Sequence, residues 1–458
     1  MSTSSSKAEE ATSKPSVDEV VEAAKQRDPD QPEFFQAVDE VVASVKPLLK
    51  ERPELVDVLA RMLEPERVLH FRVAWQDDDG RTEINRGFRV VMNTACGPGK
   101  GGLRFHPSVD LSTLKFLAFE QTFKNALTGL PLGAAKGGSD FNPRGRSDDE
   151  VMRFCQAFMS ALYTEIGPDT DVPAGDIGVG AREIGFLYGQ YKRLTRRADG
   201  AMTGKGSNWG GSLVRPEATG YGLVYFARHI VADADESFDG AKCLVSGSGN
   251  VALHAAAKLI SLGAKVVTLS DSSGVIHEPD GLTEDGLAFI TELKTVRRGR
   301  IKEYTEEFSE SAEYVEGGKP WQFAGDYAFP CATQNELDGD DAAALVDAGV
   351  RGVFEGANMP CTAEAIEAIK SGSLMYSPGK ASNAGGVGVS GLEMAQNAGH
   401  VFWDEEEVDS KLQSIMEDIY TAAKDTADRF DLGGDLQAGA NIAGFERVAD
   451  AMVAQGVW

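Results

Sequence analysis

The sequence predicts an α/β protein of two domains, the second built on a doubly wound, largely parallel sheet. Three observations carry this expectation. The chain has 458 residues, too many for one hydrophobic core, since single cores stop growing at roughly 250–300 residues. Hydrophobic residues make up 42% of it, enough to fill two cores and too many for wholesale disorder. The second half alternates short apolar runs, glycine turns and helical stretches, the pattern of successive βαβ units.

The elements follow in chain order. Residues 1–16 are rich in Ser and Thr and read as a disordered tail. Asp110 to Leu127 reads as a helix closed by Gly129. Ser147-Asp148-Asp149-Glu150 is a capping box. It opens a helix with Val151, Phe154, Cys155, Phe158 and Leu162 on one face, with Gly167-Pro168 as its stop. Pro173 to Gly178 is too rich in Pro and Gly for a regular element. In the second half, residues 242–246 form an apolar run, followed by Gly247-Ser248-Gly249-Asn250-Val251-Ala252. A helix then reaches Leu262-Gly263, and a second strand spans Lys265 to Ser270, ending at Asp271. Later strands at Tyr327–Phe329, Gly352–Phe354 and Leu374–Tyr376 each run into a polar loop. Such loops, at the carboxyl ends of strands, line the ligand crevice of a doubly wound sheet.

Composition narrows the function. The formal net charge is −26, which repels phosphate backbones and argues against a nucleic-acid partner. No apolar run reaches the ~18–20 residues of a membrane span, and the N-terminus lacks the apolar stretch of a secretory signal. A cytoplasmic protein is expected. The five scattered cysteines fit reduced thiols, the six histidines show no metal spacing, and no metal is expected. The one-sided acidity has two readings, adaptation to high salt or an ordinary acidic enzyme.

The glycine turn has a physical reason at each position. Gly247 permits the tight turn, Gly249 lets a pyrophosphate approach the backbone, and Ala252 allows close packing of helix on strand. The helix N-terminus then faces the phosphates. A nicotinamide dinucleotide is the expected cofactor. Asp271 lies where an acid binds the ribose 2′-hydroxyl of NAD, yet Ser272 and Ser273 could donate to the 2′-phosphate of NADP. Five basic residues and no acid occupy positions 294–302, either an anion subsite or cations answering a helix dipole.

The first half holds two Lys-Gly-Gly triplets, at Lys100 and Lys136. Gln121 and Lys124 share a face of the helix between them, and Asp176 follows in the Pro/Gly-rich segment. A lysine beside glycine lets a cation and backbone amides converge on one substrate. Among other cations, or desolvated, its pKa falls and it can serve acid–base chemistry.

These blocks together resemble the hexameric glutamate dehydrogenase family, within the Glu/Leu/Phe/Val dehydrogenase superfamily. The motifs are GPGKGGLRFHPSV, FEQTFKNALTGLPLGAAKGGSDFNPRG, DTDVPAGDIGVGAREIG, RPEATGYG, VSGSGNVA, PCATQNEL, EGANMP, SPGKASNAGG and SGLEMAQN. The resemblance implies a substrate and oligomerisation domain of residues 17–211 plus 434–458, and a Rossmann-like domain of residues 212–433. It implies Lys136 as the catalytic lysine and Asp176 as its acid–base partner. Lys124 and Gln121 would hold the α-carboxylate. Lys100 and Ser390 would read the γ-carboxylate, with Val387 and the Gly175 backbone beside them. Thr219 and Asn250 would bind the dinucleotide, and Asn358 and Asn383 would lie near the nicotinamide. The turn at Ser270–Gly274 is similar to the NADP-preferring branch, with NAD as the alternative. The implied reaction joins 2-oxoglutarate and ammonium to give L-glutamate, in a homohexamer. Two departures stand out: Ala134-Ala135 replace glycines in the loop before Lys136, and Gly99 replaces a common tyrosine. An inactive subunit modulating a paralogous partner, or a dehydrogenase for other amino acids, are the competing readings.

Overall fold

The computed structural model describes residues 15–457. Residues 1–14, most of the expected tail, lie outside the described residues. Ser16 belongs to a helix instead: it and Glu19 exchange hydrogen bonds in a capping box that opens Val17–Arg27.

Five strands form the sheet of the first half: β1 (Arg67–Gln76), β2 (Thr82–Asn93), β3 (Gly99–Phe105), β4 (Ala134–Ser139) and β5 (Asp171–Gly175). Their order is β1-β2-β4-β3-β5. β1 and β2 make an antiparallel hairpin, β2 is antiparallel to β4, and β3 runs parallel to both β4 and β5. Apolar helices cover both faces. On one side pack Pro32–Glu51, Leu111–Leu127 and the C-terminal Leu436–Gln455; on the other Asp148–Leu162 packs through Phe154 and Phe158.

Two expected helices are present with their signals. Asp110 caps Leu111–Leu127 by accepting from Thr113 N–H, and the Ser147 box opens Asp148–Leu162, with all five expected apolar residues buried. The second helix stops well before Gly167. One glycine-rich segment expected as a loop is a strand, and another, from Pro173, is strand as far as Gly175 before turning at residues 176–178. Lys136 stands on central β4, whose six residues are all buried. Pro173 lies inside β5, which is an edge. Its carbonyl accepts from Thr203 N–H at 3.0 Å on the outer side, so its missing donor falls where no ladder bond is lost.

Seven strands form the second sheet: β6 (Lys242–Val245), β7 (Lys265–Asp271), β8 (Gly274–His277), β9 (Glu313–Glu316), β10 (Tyr327–Phe329), β11 (Gly352–Phe354) and β12 (Met375–Ser377). The order is β12-β11-β10-β6-β7-β8-β9, parallel from β12 to β7 and antiparallel beyond. β12 starts one residue later than its apolar run suggests. The chain leaves β6 toward β7 and later returns to its other side at β10, which makes β6/β10 the topological switch point.

The chain is thus a two-domain α/β protein. Its last helix, Leu436–Gln455, contacts Pro32–Glu51 and Leu111–Leu127, whereas the preceding helix, Glu405–Arg429, packs on Ala218–Asp233 beside the second sheet.

Candidate active site

The site grows from the pairing of β3 with β4. A side chain at Gly101 would place its Cβ 1.7 Å from the Ala135 carbonyl, so only glycine admits this approach. Lys100 and Lys136 are thereby carried on adjacent strands. The Leu111–Leu127 helix adds Gln121 and Lys124, and Asp176 follows the end of β5. All five line one cavity of about 550 Å³. Gly175, Thr219, Asn358, Asn383, Val387 and Ser390 line it too, with Arg104 and Arg215.

Charge is arranged with care inside it. Lys136 Nζ donates to Asp176 Oδ1 at 2.8 Å, and Arg104 Nε donates to Asp176 Oδ2 at 2.7 Å. Burial pushes the Asp176 carboxyl up, but these two cations outweigh it and hold the group far below the usual carboxylate range. Burial, then the charge of Lys136, lowers Lys124 to about 8. Lys124 donates to Asn383 Oδ1, and Asn383 Nδ2 donates to Asn358 Oδ1 at 2.9 Å. One asparagine therefore ties a first-half lysine to the loops of β11 and β12. Lys100 is 1% exposed, and burial with Arg215 and Arg89 nearby pushes its ammonium well down. Arg215 Nε donates to Ser390 Oγ at 3.0 Å. Glu393 and Asp171 offset part of this positive charge, and a pair of cations drawn out of water favours an anion between them.

Gly247, Gly249, Asn250, Asp271 and Ser272 do not line this cavity. They cluster at the carboxyl ends of β6 and β7, where Gly247 N–H donates to Ser270 Oγ at 2.8 Å. Gly247 has φ +83°, the left-handed turn its position in the motif demands. Gly249 is the N-cap of Asn250–Ser261 and has open space where a side chain would stand, so a pyrophosphate can reach the helix amides. These residues fit a dinucleotide. Asn250 Nδ2 donates to the Pro216 carbonyl at 2.6 Å, which turns it to the backbone of the RPEATGYG segment.

Asp271 is occupied within its own loop. It accepts from Lys294 Nζ at 3.0 Å, from Ile301 N–H at 2.9 Å and from Ser273 N–H at 2.9 Å. Ser272 Oγ instead meets Arg300 Nη1 at 2.9 Å. The basic run at 294–302 divides: Arg297 and Lys302 pair with Glu303, Glu306 and Glu307, while Arg298 reaches a separate groove. That groove, about 640 Å³, gathers Arg144, Arg146, Arg182 and Arg298, with Asp176 in its wall.

Arg104, Arg215 and three of the groove arginines (Arg144, Arg146 and Arg182) were not foreseen from the sequence, whereas Arg298 belongs to the 294–302 run expected as an anion subsite or a dipole partner. Arg104 was detectable, because residues i and i+4 of a strand share a face and Lys100 precedes it by four. Ala134 and Ala135 are fully buried in β4, and neither is among the residues with positive φ. The alanines therefore leave Lys136 unstrained.

Residues 65–193 match the family description "Glu/Leu/Phe/Val dehydrogenase, dimerisation domain", and residues 210–456 match "Glutamate/Leucine/Phenylalanine/Valine dehydrogenase". The chain belongs to the Glu/Leu/Phe/Val dehydrogenase family. Among members of this family, it is 57% identical to the NADP-specific glutamate dehydrogenase of Giardia intestinalis, over 96% of this chain and 98% of that one. It is 52% identical to the NADP-specific glutamate dehydrogenase of Escherichia coli K12, over 96% and 99%. The crystal structure of Plasmodium falciparum glutamate dehydrogenase superposes with a TM-score of 0.95 at 52% identity, covering 96% of this chain and 95% of that one.

Proposed function

We propose that the protein catalyses the reversible, NADP-dependent reductive amination of 2-oxoglutarate with ammonia to L-glutamate. One observation carries this: cations stand in two groups along one cavity, buried Lys100 with half-buried Arg215 and half-buried Lys124 with buried Lys136. A dicarboxylate neutralises both groups. An apolar amino acid would leave buried Lys100 unpaired beside Arg215, at a cost of several kcal/mol.

In this reading Lys124 and Gln121 hold the α-carboxylate. Lys100, Arg215 and Ser390 hold the γ-carboxylate, with Gly175 and Val387 shaping the wall. Lys136 donates toward the 2-oxo oxygen and favours its departure as water. Asp176 relays protons to and from the amino nitrogen. It can do so only after substrate, entering beside Lys136, draws that lysine away and lets the carboxyl rise toward a useful pKa. NADPH, when bound, supplies the hydride. Thr219, Gly247, Gly249 and Asn250 would hold its dinucleotide, and Asn358 and Asn383 would orient the nicotinamide. Ser272 and Arg300 favour a 2′-phosphate, while Asp271 is committed to Lys294 and the backbone.

We assign residues 17–211 with 434–458 to substrate binding and assembly, and 212–433 to the dinucleotide. A homohexamer in the cytoplasm is the expected form, and the −26 charge supports a preference for salt. Among the described residues no helix is long and apolar enough to cross a membrane. A hetero-hexameric glutamate dehydrogenase from Thermus thermophilus has this fold at 27% identity and a TM-score of 0.81. The unstrained Ala134-Ala135 strand favours an active chain over a regulatory subunit. The purified chain, given 2-oxoglutarate, ammonium and NADPH, should form glutamate unaided. Binding of substrate without turnover would overturn the proposal.

A further inference from the structure

A second cavity, about 610 Å³, adjoins the dianion site and shares Gln121, Lys124, Lys136 and Asn358 as a common wall. Among the rest of its charged lining, carboxylates outnumber cations. Glu40, Glu120 and Glu355 line it, with Lys380 between the first two at 3.7 Å from each. Glu120 sits one turn before Lys124 on the same helix face, and among the described residues its carboxylate accepts no hydrogen bond. Tyr376 lines the same cavity. It is 9% exposed, and its buried hydroxyl makes no hydrogen bond of normal length, with the Glu355 carboxylate beside it. A buried phenol without such a bond is unusual, since such groups are normally satisfied. Together these groups offer acceptors to a small ligand rich in N–H donors.

We propose that this cavity is the entry and deprotonation site for ammonium, separate from the cleft that takes the dianion. The inference rests on the activity proposed above. Ammonium arrives as a cation but must react as ammonia at the 2-oxo carbon, and a second cavity that shares Lys124 and Lys136 with the cleft gives it a route there apart from the dianion's. The outer part of the cavity, where Glu40 stands near exposed Gln36 and Glu364, attracts the cation. Further in, Lys124 and Lys136 repel a positive charge and admit a neutral molecule. Between them the ammonium N–H bond breaks and an O–H bond forms on Glu120, leaving ammonia and a neutral carboxylic acid. The acid then returns its proton to solvent past Glu40. Burial raises the Glu120 carboxyl above the ordinary carboxylate range, which makes it a better proton acceptor.

The test is steady-state kinetics of the full-length protein with ammonium chloride varied at saturating 2-oxoglutarate and NADPH. Wild-type turnover checks the activity on its own. Glu120→Gln should raise the KM for ammonium by about tenfold, with the KM for 2-oxoglutarate unchanged and kcat at saturating ammonium within about twofold. Raising the pH supplies free ammonia and should shrink the defect, which damage to packing would not allow. Tyr376→Phe, which keeps the shape of the wall, should raise the same KM about threefold and serves if the Glu120 variant fails to fold. An active wild type whose variants keep an unchanged KM for ammonium, or raise all three KM values together, overturns the proposal.

Discussion

Lys136 shows how much of the chemistry is set by one side chain's neighbours. It is bonded to Asp176, which Arg104 grips from the other side. Lys136→Ala should lower kcat by about 10²–10⁴, the usual scale for a lost proton-transfer group, while NADPH still binds; fluorescence titration beside turnover checks both. Lys124 makes a pH prediction. Its ammonium sits at about 8, below an ordinary lysine, so it is charged below that pH and neutral above it. The KM for 2-oxoglutarate should therefore rise as pH increases through about 8 in wild type, and a Lys124→Gln variant should show a high KM without that limb. A pH profile of kcat/KM for both proteins decides it. Gly99 and Ala135 form a third case. A Cβ at Gly99 would lie 3.3 Å from Ala135 Cβ and 2.9 Å from Asp171 Oδ1, the carboxylate that holds buried Arg89. Gly99→Tyr alone should lower the melting temperature and activity, and adding Ala135→Gly should recover part of both, a coupling that a double-mutant cycle measures.

At the scale of elements, legibility followed local chemistry. The Leu111–Leu127 and Asp148–Leu162 helices announce themselves through Asp110 and the Ser147 box, because capping and apolar spacing are local properties. The strand–turn–helix–strand unit from Lys242 to Asp271 was equally plain. β4 and β5 were not. They are mostly glycine, alanine and proline, poor strand formers in isolation, and become strands by pairing, β4 with β2 and β3, β5 with β3. The site residues divide the same way. Lys100, Lys136 and Asp176 stand in distinctive motifs, whereas Arg215 comes to Ser390 across 175 residues of chain, a juxtaposition no local pattern encodes. Asp271 sits where a ribose-binding acid would be sought, but its commitment to Lys294 and Ile301 becomes visible only once the 294–302 segment is folded over it.

At the scale of the whole molecule, 71 acidic residues face 45 basic ones. Several of those cations are withdrawn into the interior: Lys100, Lys136, Lys205 and Arg89 are all nearly or fully buried. Buried carboxylates, among them Asp171, Glu355 and Glu393, offset these cations, so the acidic excess lies on the surface. Self-repulsion of that kind falls as the Debye length shrinks from ~10 Å at 0.1 M salt to ~3 Å at 1 M. Thermal unfolding followed from 0.1 M to molar potassium chloride should show a rising midpoint, and a flat or falling one would remove the case for salt adaptation.

The return of the last helix to the first-half core has a mechanical consequence. The chain crosses between the two bodies twice, once in the segment after Gly204 and once between Arg429 and Leu436. A body tethered at one point can swivel in any direction, but one tethered at two can turn only about the line that joins them. Any opening of the cleft would therefore turn about that line, like a door on two pins. Each closure then brings Asn383 back to the same lysine.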